Sequence, residues 1–123
     1  MKNTHHSCQT IVVHCIDFRF QTILTDWIYK KIGKDQFDRL SIAGGVKNLP
    51  YVIEQIEISY RLHHIKEIYL INHEDCGAYG EEGTYEKHQE DLGRARQMIR
   101  DHFPTLKIFL FYLKLDGQFV DVK

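Results

Sequence analysis

Between Gln9 and Cys15 the chain carries the β-branched run Thr10-Ile11-Val12-Val13, apolar on both faces, as in a strand covered by helices on both sides. Such a strand needs neighbouring strands and two helical layers, so it restricts the fold more than any other segment. Phe20, Ile23, Leu24, Trp27, Ile28 and Ile32 then recur at helical spacing, with Gly33 where a helix would stop. Arg39 to Ala43 reads as a short second strand ended by Gly44-Gly45, and Asn48 is placed to cap a helix that accepts Pro50 in its first turn and runs to about His63. Glu67 to Asn72 is a third strand that delivers the chain to His73. A polar loop from Gly77 to Gly83 precedes a helix marked by Leu92, Ala95, Ile99 and Phe103 and closed by Pro104. Leu106 to Leu113 is a fourth strand, and Asp116-Gly117 offers a tight turn into Gln118 to Val122, an antiparallel edge strand. This alternation predicts an α/β fold. It is a single domain over residues 1–123, with a central, mostly parallel sheet of strand order 2-1-3-4, right-handed crossovers and the C-terminal edge strand.

Composition excludes several function classes. Lys+Arg of 16 against Asp+Glu of 17 leaves a net charge of -1, so nothing electrostatic argues for a nucleic-acid or anionic-membrane partner. The longest apolar runs, such as Ile108 to Leu113, fall far short of a membrane span. The segment Met1-Lys2-Asn3-Thr4-His5-His6 has no apolar core of the secretory kind, so a cytoplasmic location is expected. In a reducing compartment the three cysteines, Cys8, Cys15 and Cys76, point to metal binding or thiol chemistry rather than disulfides.

In open α/β sheets ligands bind beyond the carboxyl ends of the strands. Strand one ends in Cys15-Ile16-Asp17-Phe18-Arg19, strand two in Ala43-Gly44-Gly45, and strand three in His73-Glu74-Asp75-Cys76-Gly77. If strands one and three are neighbours, Cys15, His73 and Cys76 converge. Two thiolates and an imidazole make a three-ligand zinc site with the fourth position open, the arrangement that separates catalytic from structural zinc. Each residue also has a plainer role: Cys15 as a small buried apolar side chain, Asp17 as a helix cap, Arg19 as a solvated helix residue. Those plainer roles do not require all the fragments to fall at the ligand-binding end of one sheet.

Taken together, these segments resemble the β-class carbonic anhydrases in a very small form. Cys15-x-Asp17-x-Arg19 is similar to that family's first signature, His73-Glu74-Asp75-Cys76-Gly77 to its His-x-x-Cys-Gly, and Ala43-Gly44 to the Ala-Gly between them. The resemblance implies zinc bound by Cys15, His73 and Cys76, with Asp17 and Arg19 as a catalytic dyad beside it and Ala43, Gly44, Gly45 and Gly77 near the substrate pocket. The implied reaction is the reversible hydration of carbon dioxide to bicarbonate. Hydrolysis of carbonyl sulfide or carbon disulfide is the enzymatic alternative, and a zinc-binding regulator or scaffold without turnover is the non-enzymatic one. Thiol redox chemistry at Cys15 and Cys76 would leave His73 and the Asp17–Arg19 pair without a task. The chain departs from the family in having Ser41-Ile42 where Arg-Asn is common, in lacking a long N-terminal helical arm, and in its short segment after Cys76.

In this scheme Arg19 holds Asp17 bidentately and keeps it off the metal, while Asp17 orients the attacking water toward carbon dioxide. An opened pair would let Asp17 ligate the zinc and close the site. A chain this small has difficulty walling off a pocket alone, so a homodimer or higher homo-oligomer is expected, with Phe18, Phe20, Tyr51 and Tyr60 as candidate interface residues. His5-His6 with Cys8 could bind a metal or relay protons, though a mobile terminus is the plainer reading. His14 reads as a hydrogen-bonded core residue and His63-His64 as a helix end. Tyr79, Glu81 and Glu82 could line the pocket entrance, and His88 could relay protons if its helix folds over the site.

Overall fold

β1, Thr10–His14, is buried along its whole length, and it sits inside the sheet. The computed structural model of the chain describes residues 6–123. β1 pairs in parallel with β2 (Phe37–Ser41) on one side and β3 (Glu67–His73) on the other. β3 pairs in parallel with β4 (Lys107–Leu113), and the antiparallel β5 (Phe119–Val122) closes the edge, giving the order β2-β1-β3-β4-β5. The α/β class, strand order and antiparallel edge strand are those expected from the sequence.

Alternate residues of the strands face opposite helical layers. Ile11 and Val13 join Val52 and Ile56 of α2 (Leu49–His63) and Leu92, Ala95 and Ile99 of α3 (Tyr85–His102) in one core. Val12, Ile71 and Leu113 face the other way, onto Phe20 and onto Leu24 and Ile28 of α1 (Gln21–Lys31). At that layer's rim the Trp27 indole stacks on Phe119 at 4.3 Å between ring centroids, which fastens the edge strand to α1.

Three local expectations change. β2 begins two residues earlier than Arg39 and ends at Ser41, because the chain turns at Ile42, whose carbonyl accepts from Gly45 N–H. Asn48 precedes α2 without a side-chain cap bond; its carbonyl accepts from Val52 N–H, and Pro50 occupies the first turn. Phe20 is buried against α1 and the His73 ring, so it supplies no surface, whereas Phe18 is 85% exposed. Among the described residues, no helix is long and apolar enough to cross a membrane.

Candidate metal centre

The pairing of β1 with β3 brings Cys15, one residue beyond β1, beside His73, the last residue of β3. Cys76 follows on a tight turn in which Asp75 adopts a left-handed φ of 58°, and the Cys76 carbonyl accepts from both Tyr79 and Gly80 N–H. The two sulfurs lie 3.9 Å apart. Together with a ring nitrogen of His73, all three donor atoms fall within 4.8 Å of one another, and all three residues are buried.

The His73 ring is set for coordination. Its Nδ1–H donates to the Glu74 carbonyl at 2.7 Å, which leaves the lone pair of Nε2 free, and Nε2 is buried without a hydrogen-bond partner. A buried polar atom without a partner is costly, and here it lies beside two thiols. Burial alone would raise the Cys15 thiol, but His73 and the N–H of Gly44, 3.4 Å from the sulfur, outweigh it and bring the thiol down to about 7. Cys76 is moved the other way, upward, by burial. The donor set and the free lone pair fit a zinc ion with one coordination position open.

Asp17 and Arg19 stand beside this group. Asp17 Oδ2 is 3.8 Å from His73 Nε2 and is held there by Arg19, whose Nη2 donates to it at 2.7 Å. Arg19 Nε donates to Oδ1 at 3.1 Å, and the Arg19 backbone N–H donates to the same oxygen at 3.0 Å. Asp17 is therefore both the cap of the short turn Phe18–Phe20 and the partner of Arg19, so the two readings of this residue coexist. The hydrogen bonds from Arg19 are the main cause that holds the carboxyl down at about 2. Arg19 is itself tied to the metal loop by Asp75, through Oδ2 at 3.1 Å and the carbonyl at 2.9 Å.

An open pocket of about 580 Å³ lies over the centre, lined by Cys15, Asp17, Arg19, Asp75 and Gly77 and by the apolar Ile16, Phe18, Ala43 and Ala78. Gly44 and Gly45 act from behind it. Gly44 donates to the Cys15 sulfur, and Gly45, at φ 61°, lets the chain pass Asn72, whose Oδ1 would collide with a Cβ there. Ser41, where Arg-Asn is common, donates its hydroxyl to the Cys15 carbonyl at 3.5 Å.

The remaining candidates divide. Tyr79 does not line the entrance: it is buried against Cys15 and Cys76, and its hydroxyl donates to Asp91 at 2.8 Å. Glu81 and Glu82 lie on an exposed turn away from the pocket lining. His88 is buried behind Tyr79 and accepts at Nδ1 from Asn72 Nδ2, 2.9 Å away, so it has no route to the pocket. His14 is the core histidine expected, donating from Nδ1 to the Cys15 carbonyl at 2.8 Å and accepting at Nε2 from Arg39. His63 and His64 end α2, with His64 in the left-handed cap position. His5 lies outside the described residues.

Sequence reasoning did not single out Asp75, Gln21 or Asn72. Gln21 Nε2 bridges the carbonyls of Cys15 and Asp17 at 3.2 and 2.7 Å, and Asn72 holds the Gly45 turn by accepting from Val46 N–H at 3.2 Å. Asp75 sits inside the run His73-Glu74-Asp75-Cys76, and its charge beside a metal loop was the available signal.

This fold has counterparts among known proteins. Residues 5–123 match the family described as "Putative carbonic anhydrase", and the chain belongs to that family. It is 34% identical to an uncharacterized protein of Rickettsia bellii, the alignment covering 93% of this chain and 81% of that one. It is 36% identical to an uncharacterized protein of Rickettsia conorii, over 93% of this chain and 72% of that one. Among solved structures, the fold is similar to carbonic anhydrase from Streptococcus mutans, with a TM-score of 0.72 at 16% identity over 100% of this chain and 86% of that chain. A β-carbonic anhydrase of Trichomonas vaginalis gives a TM-score of 0.71 at 16% identity over 99% and 87%. A carbon disulfide hydrolase in its apo form gives 0.64 at 16% identity over 96% and 80%.

Proposed function

We propose that the chain catalyses the reversible hydration of carbon dioxide to bicarbonate at a zinc ion held by Cys15 Sγ, His73 Nε2 and Cys76 Sγ. The observation that carries this reading is the buried His73 Nε2 without a partner, aimed at two thiols beneath a pocket that contains Asp17 and Arg19. Bound zinc supplies a Lewis acid that makes water acidic enough to act as a nucleophile near neutral pH.

The protein's own groups do the rest. Asp17 is a hydrogen-bond acceptor poised 3.8 Å from His73 Nε2, where it orients the attacking water toward the substrate carbon. Arg19 keeps that carboxylate ionised and drawn away from the ligands, and Asp75 keeps Arg19 in place. Ile16, Phe18, Ala43 and Ala78 offer apolar surface suited to a small linear molecule without charge. The same surface suits carbonyl sulfide and carbon disulfide, so these are the competing substrates. With Phe18 85% and Ile16 57% exposed at the pocket rim, we also propose that a second copy of the chain covers this edge.

Stopped-flow hydration on zinc-loaded protein is the direct test, with carbonyl sulfide and carbon disulfide as parallel substrates. Turnover of carbon dioxide above that of free zinc supports the reading. Turnover only of the sulfur compounds moves the assignment to the alternative, and no turnover with zinc bound leaves a metal-binding protein.

A further inference from the structure

At the opposite end of the sheet from Cys15, the structure assigns a second metal site to Cys8, Asp38 and His63. These residues come from three separate elements. Cys8 lies just before β1, Asp38 is on β2, and His63 is the last residue of α2. One donor atom from each falls within 4.8 Å of the other two, and all three residues are half-buried, so an ion can reach them from solvent. The grouping is held from behind: Cys8 N–H donates to the His63 carbonyl at 3.1 Å, and Ser59 Oγ donates to the Asp38 carboxylate at 2.6 Å. A second imidazole is at hand, because the His6 ring lies 4.8 Å from that of His63 between centroids.

The donor chemistry selects the ion. A thiolate, a carboxylate and one or two imidazoles suit zinc and its neighbours among the divalent transition metals, whereas calcium and magnesium take all-oxygen sets. Cys8 and Asp38 together bring two negative charges to a dication. At present a proton is held between His63 Nδ1 and Asp38 Oδ2, 2.6 Å apart, and the ion would take its place while Cys8 gives up its thiol proton. With His6 as fourth ligand the site is closed and structural in kind. It clips the segment before β1 to the end of α2 and the edge strand β2.

This site is independent of the one assigned above, and metal titration on the full chain separates them. With zinc as the probe, competed against a chromophoric chelator, the wild-type chain takes up a second equivalent beyond that held by Cys15, His73 and Cys76. Cys8→Ser loses that second equivalent, or binds it at least about a hundredfold more weakly, since losing a direct ligand costs no less than losing a ligand's supporting partner. Asp38→Asn weakens it in the same direction. Cobalt gives a second readout: in Cys15→Ser/Cys76→Ser protein, Cys8 is the one remaining cysteine, so a thiolate-to-cobalt charge-transfer band there belongs to it. The expected result is such a band, abolished by adding Cys8→Ser. Equal uptake by wild-type and Cys8→Ser protein overturns the proposal, as does the absence of the band in Cys15→Ser/Cys76→Ser protein.

Discussion

Asp17 accepts from the Arg19 side chain on both carboxylate oxygens, from Nη2 at 2.7 Å and from Nε at 3.1 Å, and also caps the Arg19 backbone N–H. One residue thus has two separable jobs, and only one of them survives replacement of the charge. Asn caps as well as Asp but gives up the charged pairing with Arg19, so Asp17→Asn should lower stability by only about 1 kcal/mol or less. The hydration rate should nevertheless fall by about a hundredfold or more, the range expected when a proton-handling group is lost. Arg19→Ala should retain zinc and lose activity to a similar degree, because the freed carboxylate is already 3.8 Å from His73 Nε2 and can close the coordination sphere. Zinc content, melting temperature and stopped-flow rate on both variants decide the matter. Wild-type rates in both would remove the dyad from the mechanism and leave the metal cluster untouched.

Gly45 is the position where backbone geometry matters most to the site. Its φ of 61° is left-handed, and a Cβ would meet Asn72 Oδ1 as well as the Ile71 carbonyl at 3.1 Å. Gly45→Ala therefore combines a left-handed alanine with overpacking of the amide that holds the turn, a loss of about 3 kcal/mol. Urea denaturation measures it. A loss under about 1 kcal/mol would mean that Asn72 yields and that the turn is not braced as described.

The fold was readable because its inner strands are apolar on both faces and its helices carry clear stripes. β2 was less so. Asp38 looks like a loop residue in a sequence, but it is taken up by Ser59 and His63, partners 21 and 25 residues distant. The start of α3 was legible, since the polar loop ends at Gly83 and Thr84 caps the helix, but the burial of His88 and Asp91 in its first turns was not, because their partners Asn72 and Tyr79 lie outside it. The ligand cluster was legible since each of its residues ends a strand or follows one closely. Its supports were less so: Gln21 and Asn72 act through carbonyls and amides that carry no sequence signature, and Asp75 offered only its charge within the His73–Cys76 run.

Zinc should stabilise the folded chain, because its ligands come together only there. In Cys8→Ser protein, which isolates the Cys15–His73–Cys76 group, free zinc at about a hundred times its dissociation constant should add about 2.7 kcal/mol. A chelator should reverse the gain. Adding Cys76→Ser should abolish most of the zinc-dependent rise in melting temperature. A rise of the same size in that double variant would place the ion elsewhere.

His88 makes the chain's stability depend on pH. It is buried between Tyr79 and Tyr112, with Asp91 and His73 as the charged groups acting on it. Burial, and then the charge of His73, lower its pKa to about 4, with Asp91 opposing, against 6.5 for an unperturbed histidine. Between those values the unfolded chain binds a proton that the folded chain refuses, so stability is complete above about pH 6.5 and declines as pH falls toward 4. The full loss is up to about 3 kcal/mol for a shift of this size. His14, whose pKa is likewise lowered to about 4, adds to the same window, so removing His88 alone should flatten the decline without abolishing it. His88→Gln keeps a polar side chain that can still meet Asn72 and cannot take up the proton. Urea denaturation from pH 7.5 down to 4.5 should show a shallower fall for His88→Gln than for the wild type. Identical slopes would mean that His88 reaches solvent when it protonates, against its burial behind Tyr79.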